Sequence, residues 1–389
     1  MKSTSVLTLV LILLPISAVV GQSVAAQKVS PEASRMAEKA QAFELAGDWR
    51  AAEQAYVKAI ELAPFWAEAL VNLAALYNRE GKTDQAIGVL KQATQLKPSL
   101  VEAHLNLGVT YFKAARYGDA RASLARAVFI APRNVQARQL LALSLIALES
   151  FQEAVVHLEV LYAEGHRDAP ILQALGQSYL RLNIYDKAVE RFEELVNLSP
   201  GSAQAHFLLG EALDNASKSE RGLQEFRRAV EIDPRLPEAH YALGYSLLKK
   251  GELEEAAQHF TEELLINPDM TLAQYHLGKI NLTRGRTDEA MLQLSKLVEA
   301  APDFRPGLEA FGQVLLKKGY PLRAVEVLER AVKLGDAWPD GHALLGRAYV
   351  AAGKRDQALK EFATAQRLSN EERKRLEGKV SGPKPGRHP

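Results

Sequence analysis

The sequence predicts an all-α fold, a solenoid of ten helix-turn-helix units, because one pattern repeats every 34 residues from Ala33 to Glu372 without an insertion. When each unit is numbered from 1, position 20 is always small. This column comprises Ala52, Ala86, Ala120, Ala154, Ala188, Gly222, Ala256, Ala290, Ala324 and Ala358. A repeat array grows by adding units, so the 389 residues are expected to form one array and not several globular domains.

Two stretches of each unit carry apolar residues at helical spacing. In the second unit, Leu70, Leu73 and Tyr77 mark the first stretch, and Ala86 and Leu90 mark the second. The turn between them often has glycine at position 15, where a residue with positive φ can end the first helix. Seven units have proline at position 32, which is predicted to be the end of the second helix because proline cannot continue one.

Two further columns predict how the paired helices pack. Position 8 is Ala or Gly in all ten units, so it allows close approach to the small residues at position 20. Position 24 supplies bulk. It is occupied by Tyr56, Leu90, Leu124, Leu158, Phe192, Phe226, Phe260, Leu294, Leu328 and Phe362.

These columns, together with Tyr or Leu at position 11 and proline at position 32, resemble the tetratricopeptide repeat. Residues 107–111 read Leu-Gly-Val-Thr-Tyr and residues 175–179 read Leu-Gly-Gln-Ser-Tyr, which carry the Leu-Gly-x-x-Tyr core of that repeat. The resemblance covers residues 33–372. It implies a right-handed superhelical solenoid whose first helices line a concave groove, with positions 2, 5, 9, 12 and 13 facing a protein or peptide ligand.

The first 26 residues are predicted to be a signal peptide. Lys2 precedes an apolar run over residues 6–20, and Val24-x-Ala26 is a small-residue cleavage site, with Gly21 as another. An exported protein, periplasmic or secreted, is therefore expected. The alternative is that residues 6–20 remain as a membrane anchor, although a membrane span needs about 20 apolar residues.

The segments around the repeats are short. Residues 27–32 are predicted to be a linker before the ten units of residues 33–372. A charged helical extension, residues 373–380, is expected to cap the last unit. The tail of residues 381–389 contains Pro and Gly and is predicted to be disordered.

Composition and motifs argue against catalysis. With 48 basic and 47 acidic residues there is no basic excess for binding nucleic acid, and without cysteine there is no disulfide or thiolate metal site. Phosphate loops, His-Glu-x-x-His and Gly-x-Ser-x-Gly are missing from the sequence. Four histidines occupy position 4: His104, His206, His240 and His342. Equivalent side chains in adjacent helices stand about 10 Å apart, which is too far for them to share a metal ion, so these histidines are expected to be core residues. We expect no enzyme, cofactor, metal or nucleic acid, and membrane binding only if the N-terminal segment is uncleaved.

Positions 5, 9 and 12 of the first helices are the informative part of the expected groove. The predicted binding residues are Phe207, Tyr241 and Tyr275 at position 5, Tyr245, Lys279 and Glu211 at position 9, and Leu248 and Leu282 at position 12. Aromatic rings with a polar rim favour a protein or peptide ligand. Two alternatives stay open: the rings could pack against each other and close the groove, and the leucines could be half-buried packing residues.

Two polar residues depart from the repeat. Glu263 stands at position 27, where small residues are usual, and Asn281 stands at position 11 of the next unit, where Tyr or Leu is usual. They indicate either a polar pocket or hinge between repeats 7 and 8, or a local hydrogen bond between neighbouring helices.

The main functional hypothesis is an exported, non-catalytic scaffold that binds a protein or peptide in the groove of repeats 5–9. The alternative hypothesis is a membrane-tethered assembly factor for envelope or secretion machinery, held by residues 6–20. A hidden enzyme is disfavoured because no nucleophile and base converge in the sequence. The partner stays unnamed, because one fold holds many unrelated ligands.

Overall fold

The computed structural model describes residues 28–335 and 338–380, and all regular structure in those ranges is helical, which confirms the all-α prediction. Consecutive helices pack as pairs, so the protein is an all-α solenoid. The helices are α1 (Pro31–Leu45), α2 (Trp49–Leu62), α3 (Ala67–Arg79), α4 (Thr83–Leu96), α5 (Val101–Lys113), α6 (Tyr117–Ile130), α7 (Val135–Ala147), α8 (Phe151–Ala163), α9 (Ala169–Arg181), α10 (Tyr185–Leu198), α11 (Ala203–Asn215), α12 (Ser219–Ile232), α13 (Ala239–Lys250), α14 (Leu253–Ile266), α15 (Thr271–Thr283), α16 (Thr287–Ala300), α17 (Arg305–Lys317), α18 (Pro321–Lys333), α19 (Pro339–Ala351) and α20 (Arg355–Val380).

The chain divides into two compact units, residues 1–161 and 162–389, with the boundary inside α8. Helix α1 begins at Pro31, inside the predicted linker of residues 27–32, and α20 runs without a break through the predicted extension of residues 373–380. The predicted signal peptide, the alternative anchor of residues 6–20 and the predicted tail of residues 381–389 lie outside the described residues. Within the described ranges, no helix is both long enough and apolar enough to cross a membrane.

One turn joins the two helices in every repeat. In all ten, the N–H at position 16 donates to the carbonyl at position 11 over 2.8–3.0 Å, as in Lys82 to Tyr77. This bond is the helix-ending arrangement that needs a left-handed residue at position 15. Glycine provides it in six repeats, as predicted. In the other four, Ala115, Glu149, Asn183 and Ser217 adopt φ values of 55–60°.

The second helices end earlier than the proline column predicted. Helix α2, for example, ends at Leu62, two residues before Pro64. The predicted end at position 32 was wrong because the residue before a proline is itself kept out of the α conformation. Helices in repeats with this proline therefore end at position 30.

The small columns at positions 8 and 20 bring the paired helices together. A Cβ added to Gly176 would lie 2.5 Å from the ring of Phe192, and one added to Gly108 would lie 2.4 Å from Leu124. Both of these position-24 side chains are 0% exposed. Each repeat therefore holds a bulky side chain directly against the backbone of its first helix, as the columns predicted.

The carboxylate of Glu263 caps a helix within repeat 7. Its side chain is 0% exposed, and its two oxygens accept hydrogen bonds from the backbone N–H groups of Glu238 at 3.1 Å and Tyr241 at 3.2 Å. These donors lie at the start of α13, which begins at Ala239, two residues later than the first helices of repeats 2–6 do. Such N–H groups have no partner inside a helix. Of the two alternatives for Glu263, the structure therefore shows the local hydrogen bond between neighbouring helices.

Repeat 7 also contains an unusual histidine pair. Nε2 of His240 donates to the carbonyl of Pro234 at 3.2 Å, and Nδ1 of His240 lies 2.9 Å from Nδ1 of His259. Because a carbonyl only accepts, neutral His240 has its proton on Nε2, and His259 donates to its Nδ1. The equivalent histidines of repeats 6 and 10 face glutamates instead, Glu225 and Glu361, at 2.6 Å.

We expect Glu263→Ala to destabilise the protein, although alanine is the usual residue at position 27. The substitution removes the acceptor that caps the N–H groups of Glu238 and Tyr241 at the start of α13, and loss of a helix cap costs about 0.5–2 kcal/mol. The free energy of unfolding should fall by that amount in denaturant titrations. The exposed neighbour Glu262→Ala is the matched control and should change it by less than about 0.5 kcal/mol. Equal stability of the two variants would contradict the capping role.

Acidification should weaken repeat 7 through His259. Burial lowers the pKa of His259 from its ordinary 6.5, His240 and Arg227 lower it further, and Glu255 and Glu262 oppose them. The unfolded chain therefore takes up a proton near pH 6.5 that the folded chain resists. The free energy of unfolding contributed by this group is present above that pH and falls below it. Denaturant unfolding at about pH 7.5 and about pH 5.5 should show a smaller loss in His259→Gln than in the wild type.

A second variant checks the cause of this pH dependence. His259→Glu rebuilds the histidine–glutamate pair of repeats 6 and 10, so its loss of stability on acidification should also be smaller than that of the wild type. If all three proteins lose the same stability between the two pH values, the pair does not couple folding to protonation.

Candidate functional site

A cavity of about 210 Å³ lies between α11 and α13, the first helices of repeats 6 and 7. It is lined by Phe207, Glu211, Asp214, Asn215, Phe226, Glu238, Tyr241, Ala242, Tyr245 and Ser246. Four of the eight predicted binding residues, Phe207, Glu211, Tyr241 and Tyr245, therefore share one space. The spacing of one repeat unit places them on neighbouring parallel helices at equivalent positions.

The aromatic wall of this cavity is built from stacked rings. Tyr241 and Tyr245, one helical turn apart on α13, stack with ring centroids 6.1 Å apart and an angle of 14° between the planes. Tyr241 also packs against Phe260 of the second helix at 5.7 Å, and Phe207 packs in the same way on Phe226 at 5.9 Å. The ring at position 24 thus packs against the ring at position 5 in both repeats. Tyr245, at position 9, remains 39% exposed.

Tyr275, the third ring at position 5, lies in the next repeat. It packs edge-on against Phe304, with centroids 5.6 Å apart and an angle of 85° between the planes. Among the described residues, the rings of Phe207, Tyr241 and Tyr275 do not contact one another directly, but Tyr241 stacks on Tyr245, and His276 contacts both Tyr241 and Tyr275. Part of the predicted aromatic set therefore packs together, as the packing alternative expected, and Tyr245 is still 39% exposed.

His276 is a member of the aromatic wall that the sequence analysis missed. Its ring lies 5.5 Å from Tyr245, 5.1 Å from Tyr275 and 5.4 Å from Phe260, and it stacks on Phe260 at 18°. Burial lowers its pKa, and the nearby cation of Lys279 adds to the effect. The signal was present at position 6, where the neighbouring repeats have alanine and this one has an aromatic ring.

The two predicted leucines are half-buried. Leu248 packs against the core of repeats 6–8, and Leu282 packs against the core of repeats 8–10. Their positions correspond to the packing alternative. Of the other six predicted residues, Phe207, Glu211, Tyr241 and Tyr245 line the cavity, whereas Tyr275 and Lys279 do not.

The charged groups along these helices are partly desolvated. Burial raises the pKa of Glu211, and Glu238 raises it further. Although Glu211 is exposed to solvent, the cavity walls crowd its carboxyl group. Burial likewise raises the pKa of Glu309 one repeat after Lys279, and burial with the Glu309 charge raises that of Tyr275. Restricted hydration along a row of first helices strengthens any polar contact made there.

Asn281 belongs to a different cavity of about 280 Å³, lined by residues of α14, α15 and α16. Seven of its ten lining residues are of polar type, among them Glu254, Arg286 and Gln293. The side-chain amide of Asn281 donates to Gln293 over 3.5 Å. Asn281 therefore lies in a pocket between repeats 7 and 8, as one of the two alternatives expected, and Glu263 does not line this pocket.

No group of three or more metal-ligating side chains comes together in residues 28–335 and 338–380. Three of the four histidines at position 4, His206, His240 and His342, are buried, and His104 is half-buried. The ionisable and aromatic side chains that line the cavity between α11 and α13 are three carboxylates, two phenylalanines and two tyrosines.

Several solved structures align with the chain. A tetratricopeptide repeat protein described as YrrB, with an unusual peptide-binding site, is 22% identical over 47% of this chain and 94% of its own, with a TM-score of 0.45. A tetratricopeptide repeat protein from Parabacteroides merdae is 17% identical over 65% of this chain and all of its own, with a TM-score of 0.45. A chain of the Cut9–Hcn1 hetero-tetramer of APC/C is 14% identical over 88% of this chain and 74% of its own, with a TM-score of 0.46.

Two protein-family models together match residues 12–303, which include most of the repeats. No curated protein matches the chain significantly. The family model described as the C-terminal domain of cilia and flagella-associated protein 70 matches residues 12–240, more than half of the chain. The tetratricopeptide repeat model matches residues 215–269 and 241–303. The chain therefore belongs to the tetratricopeptide repeat family, with repeats like those of that C-terminal domain.

Proposed function

We propose that this protein is an exported, non-catalytic scaffold that binds a protein or peptide partner along the first helices of repeats 5–9. Proteins built from these repeats are in general protein–protein interaction scaffolds. The binding centre in this chain is the cavity between α11 and α13, together with the rings that continue from it to Tyr275.

The observation that carries the proposal is the supported, exposed ring of Tyr245. Tyr241 and His276 hold it from two sides, so the ring is fixed before a ligand arrives. Fixing a side chain in advance lowers the entropy lost on binding. Tyrosine also combines a large apolar surface with a hydroxyl group, and such residues often dominate the energy of protein interfaces.

Substitution of Tyr245 tests the binding centre. We expect Tyr245→Ala to weaken binding of a partner, identified by affinity capture and then purified, by at least about tenfold, since truncating a central aromatic residue typically costs 2 kcal/mol or more. Binding should be measured by calorimetric titration. The matched control is Tyr320→Ala, which removes a tyrosine of similar exposure, 45%, outside the cavity.

The control should bind within about twofold of the wild type. A combined Phe207→Ala, Tyr241→Ala and Tyr275→Ala variant, checked for helical content by circular dichroism, should bind more weakly still. Undiminished binding by both Tyr245→Ala and the combined variant, in folded protein, would remove the groove assignment.

Export rests on the N-terminal sequence, with Lys2, the apolar run of residues 6–20 and the Val24-x-Ala26 site. We expect the mature protein, purified from its native cell and sequenced from its N-terminus, to begin at Gln27, or at Gln22 if the second site is used. An intact Met1 on membrane-bound protein would instead favour the tethered assembly factor, held by residues 6–20.

A further inference from the structure

The cavity between α11 and α13 is lined by two chemically different kinds of side chain, and we name it the acidic cavity. The aromatic rings include Tyr241 and Tyr245. The carboxylates are those of Glu211, Asp214 and Glu238. A space that combines aromatic faces with carboxylates favours cations and disfavours anions.

Only one of the three carboxylates is neutralised within the protein. Asp214 forms an ion pair with Lys249 at 2.6 Å, and the same ammonium group lies 5.4 Å from the centroid of the Tyr245 ring. In the described part of the chain, no lysine, arginine or histidine lies within ion-pair distance of Glu211 or Glu238. These two carboxylates line the same space, and the charge of Glu238 raises the pKa of Glu211. The folded protein thus holds two like charges together without a counter-charge.

Glu238 has a backbone conformation that differs from that of the equivalent residues in the other repeats. Its φ is 68°, whereas the other non-glycine residues with positive φ all lie in the turn at position 15. This left-handed conformation costs free energy for a residue with a side chain. The buried carboxylate of Glu263 holds it by accepting hydrogen bonds from Glu238 and Tyr241. Glu263 therefore positions a carboxylate and an aromatic residue of the acidic cavity at once.

We propose that the acidic cavity is the subsite for an arginine side chain of the bound peptide, with Glu211 and Glu238 as its counter-charges and the rings of Tyr241 and Tyr245 as its stacking surface. A guanidinium group is planar, stays charged and both stacks on aromatic faces and donates to carboxylates. A bound cation relieves the mutual repulsion of the two carboxylates. This inference rests on the proposed function and names the chemistry of the ligand.

The test uses three peptides that differ in one residue. Acetyl-Gly-Leu-Xaa-Leu-Gly-amide is prepared with arginine, with its uncharged isostere citrulline, or with glutamate at Xaa. Each is titrated into the full chain, and binding is followed by the side-chain NMR signals of Tyr241 and Tyr245. The arginine peptide should bind at least about tenfold more tightly than the citrulline peptide, and the glutamate peptide should bind most weakly.

Variants of the carboxylates locate the preference. Glu211→Gln and Glu238→Gln keep the side-chain shape and should each reduce the preference for arginine over citrulline, and the double variant should abolish it. Glu299→Gln removes an exposed carboxylate of α16 outside the cavity and should leave the preference unchanged. The midpoint of thermal unfolding of each variant shows whether it is folded.

Each outcome decides the proposal. A preference for arginine that disappears in the double variant supports it. Equal binding of the arginine and citrulline peptides overturns it, as does a preference that survives in the double variant or a lack of response at Tyr241 and Tyr245. The proposed function fails separately, when the purified partner binds the Tyr245→Ala variant and the combined aromatic variant as tightly as the wild type.

Discussion

The structure depends on the close approach of two helices at positions 8 and 20 of each repeat. A side chain larger than alanine at either position would separate the helices, and the bulky residue at position 24 would lose its contact with the backbone of the first helix. Repeat 6 shows the limit of this constraint, because Gly210 and Gly222 occupy both positions and a Cβ on Gly222 would lie 3.0 Å from the carbonyl oxygen of Gly210. Tight pairing fixes where the first helix lies, and the first helix carries Phe207 and Glu211.

The same constraint explains why the proposed binding residues lie between the packing columns of the repeat and not in them. Positions 8, 20 and 24 have no freedom, since each side chain there meets another helix. Position 5 lies above position 24, so an aromatic residue at 24 can support an aromatic residue at 5. Phe226 and Phe260 do this for Phe207 and Tyr241. The repeats with leucine at position 24 offer no such ring–ring support.

Sequence periodicity was sufficient for the helices, their register and the packing columns, because each follows from local rules repeated ten times. It was also sufficient to place Phe207, Glu211, Tyr241 and Tyr245 on one surface, because equivalent positions of adjacent units are neighbours. It did not identify Glu238 or His276. Their roles depend on the late start of α13 and on ring contacts between repeats, and neither has a periodic signal.

Glu263 shows how a local departure can carry more information than the repeat itself. As a single residue it indicated only a polar site, and it left two explanations open. The structure separates them because the carboxylate reaches the first turn of α13 and not the pocket at Asn281.

Repeat 7 collects several departures from the regular repeat. It buries the carboxylate of Glu263, holds Glu238 at positive φ and places His240 against His259. Strain of this kind persists only when the surrounding structure enforces it, and it concentrates at sites of function. In a repeat array, neighbouring repeats can supply that support, because stability arises largely at the interfaces between them. These departures fall in an internal repeat next to the cavity, where Glu263 holds Glu238 and Tyr241, and that location agrees with a binding role better than with a packing role.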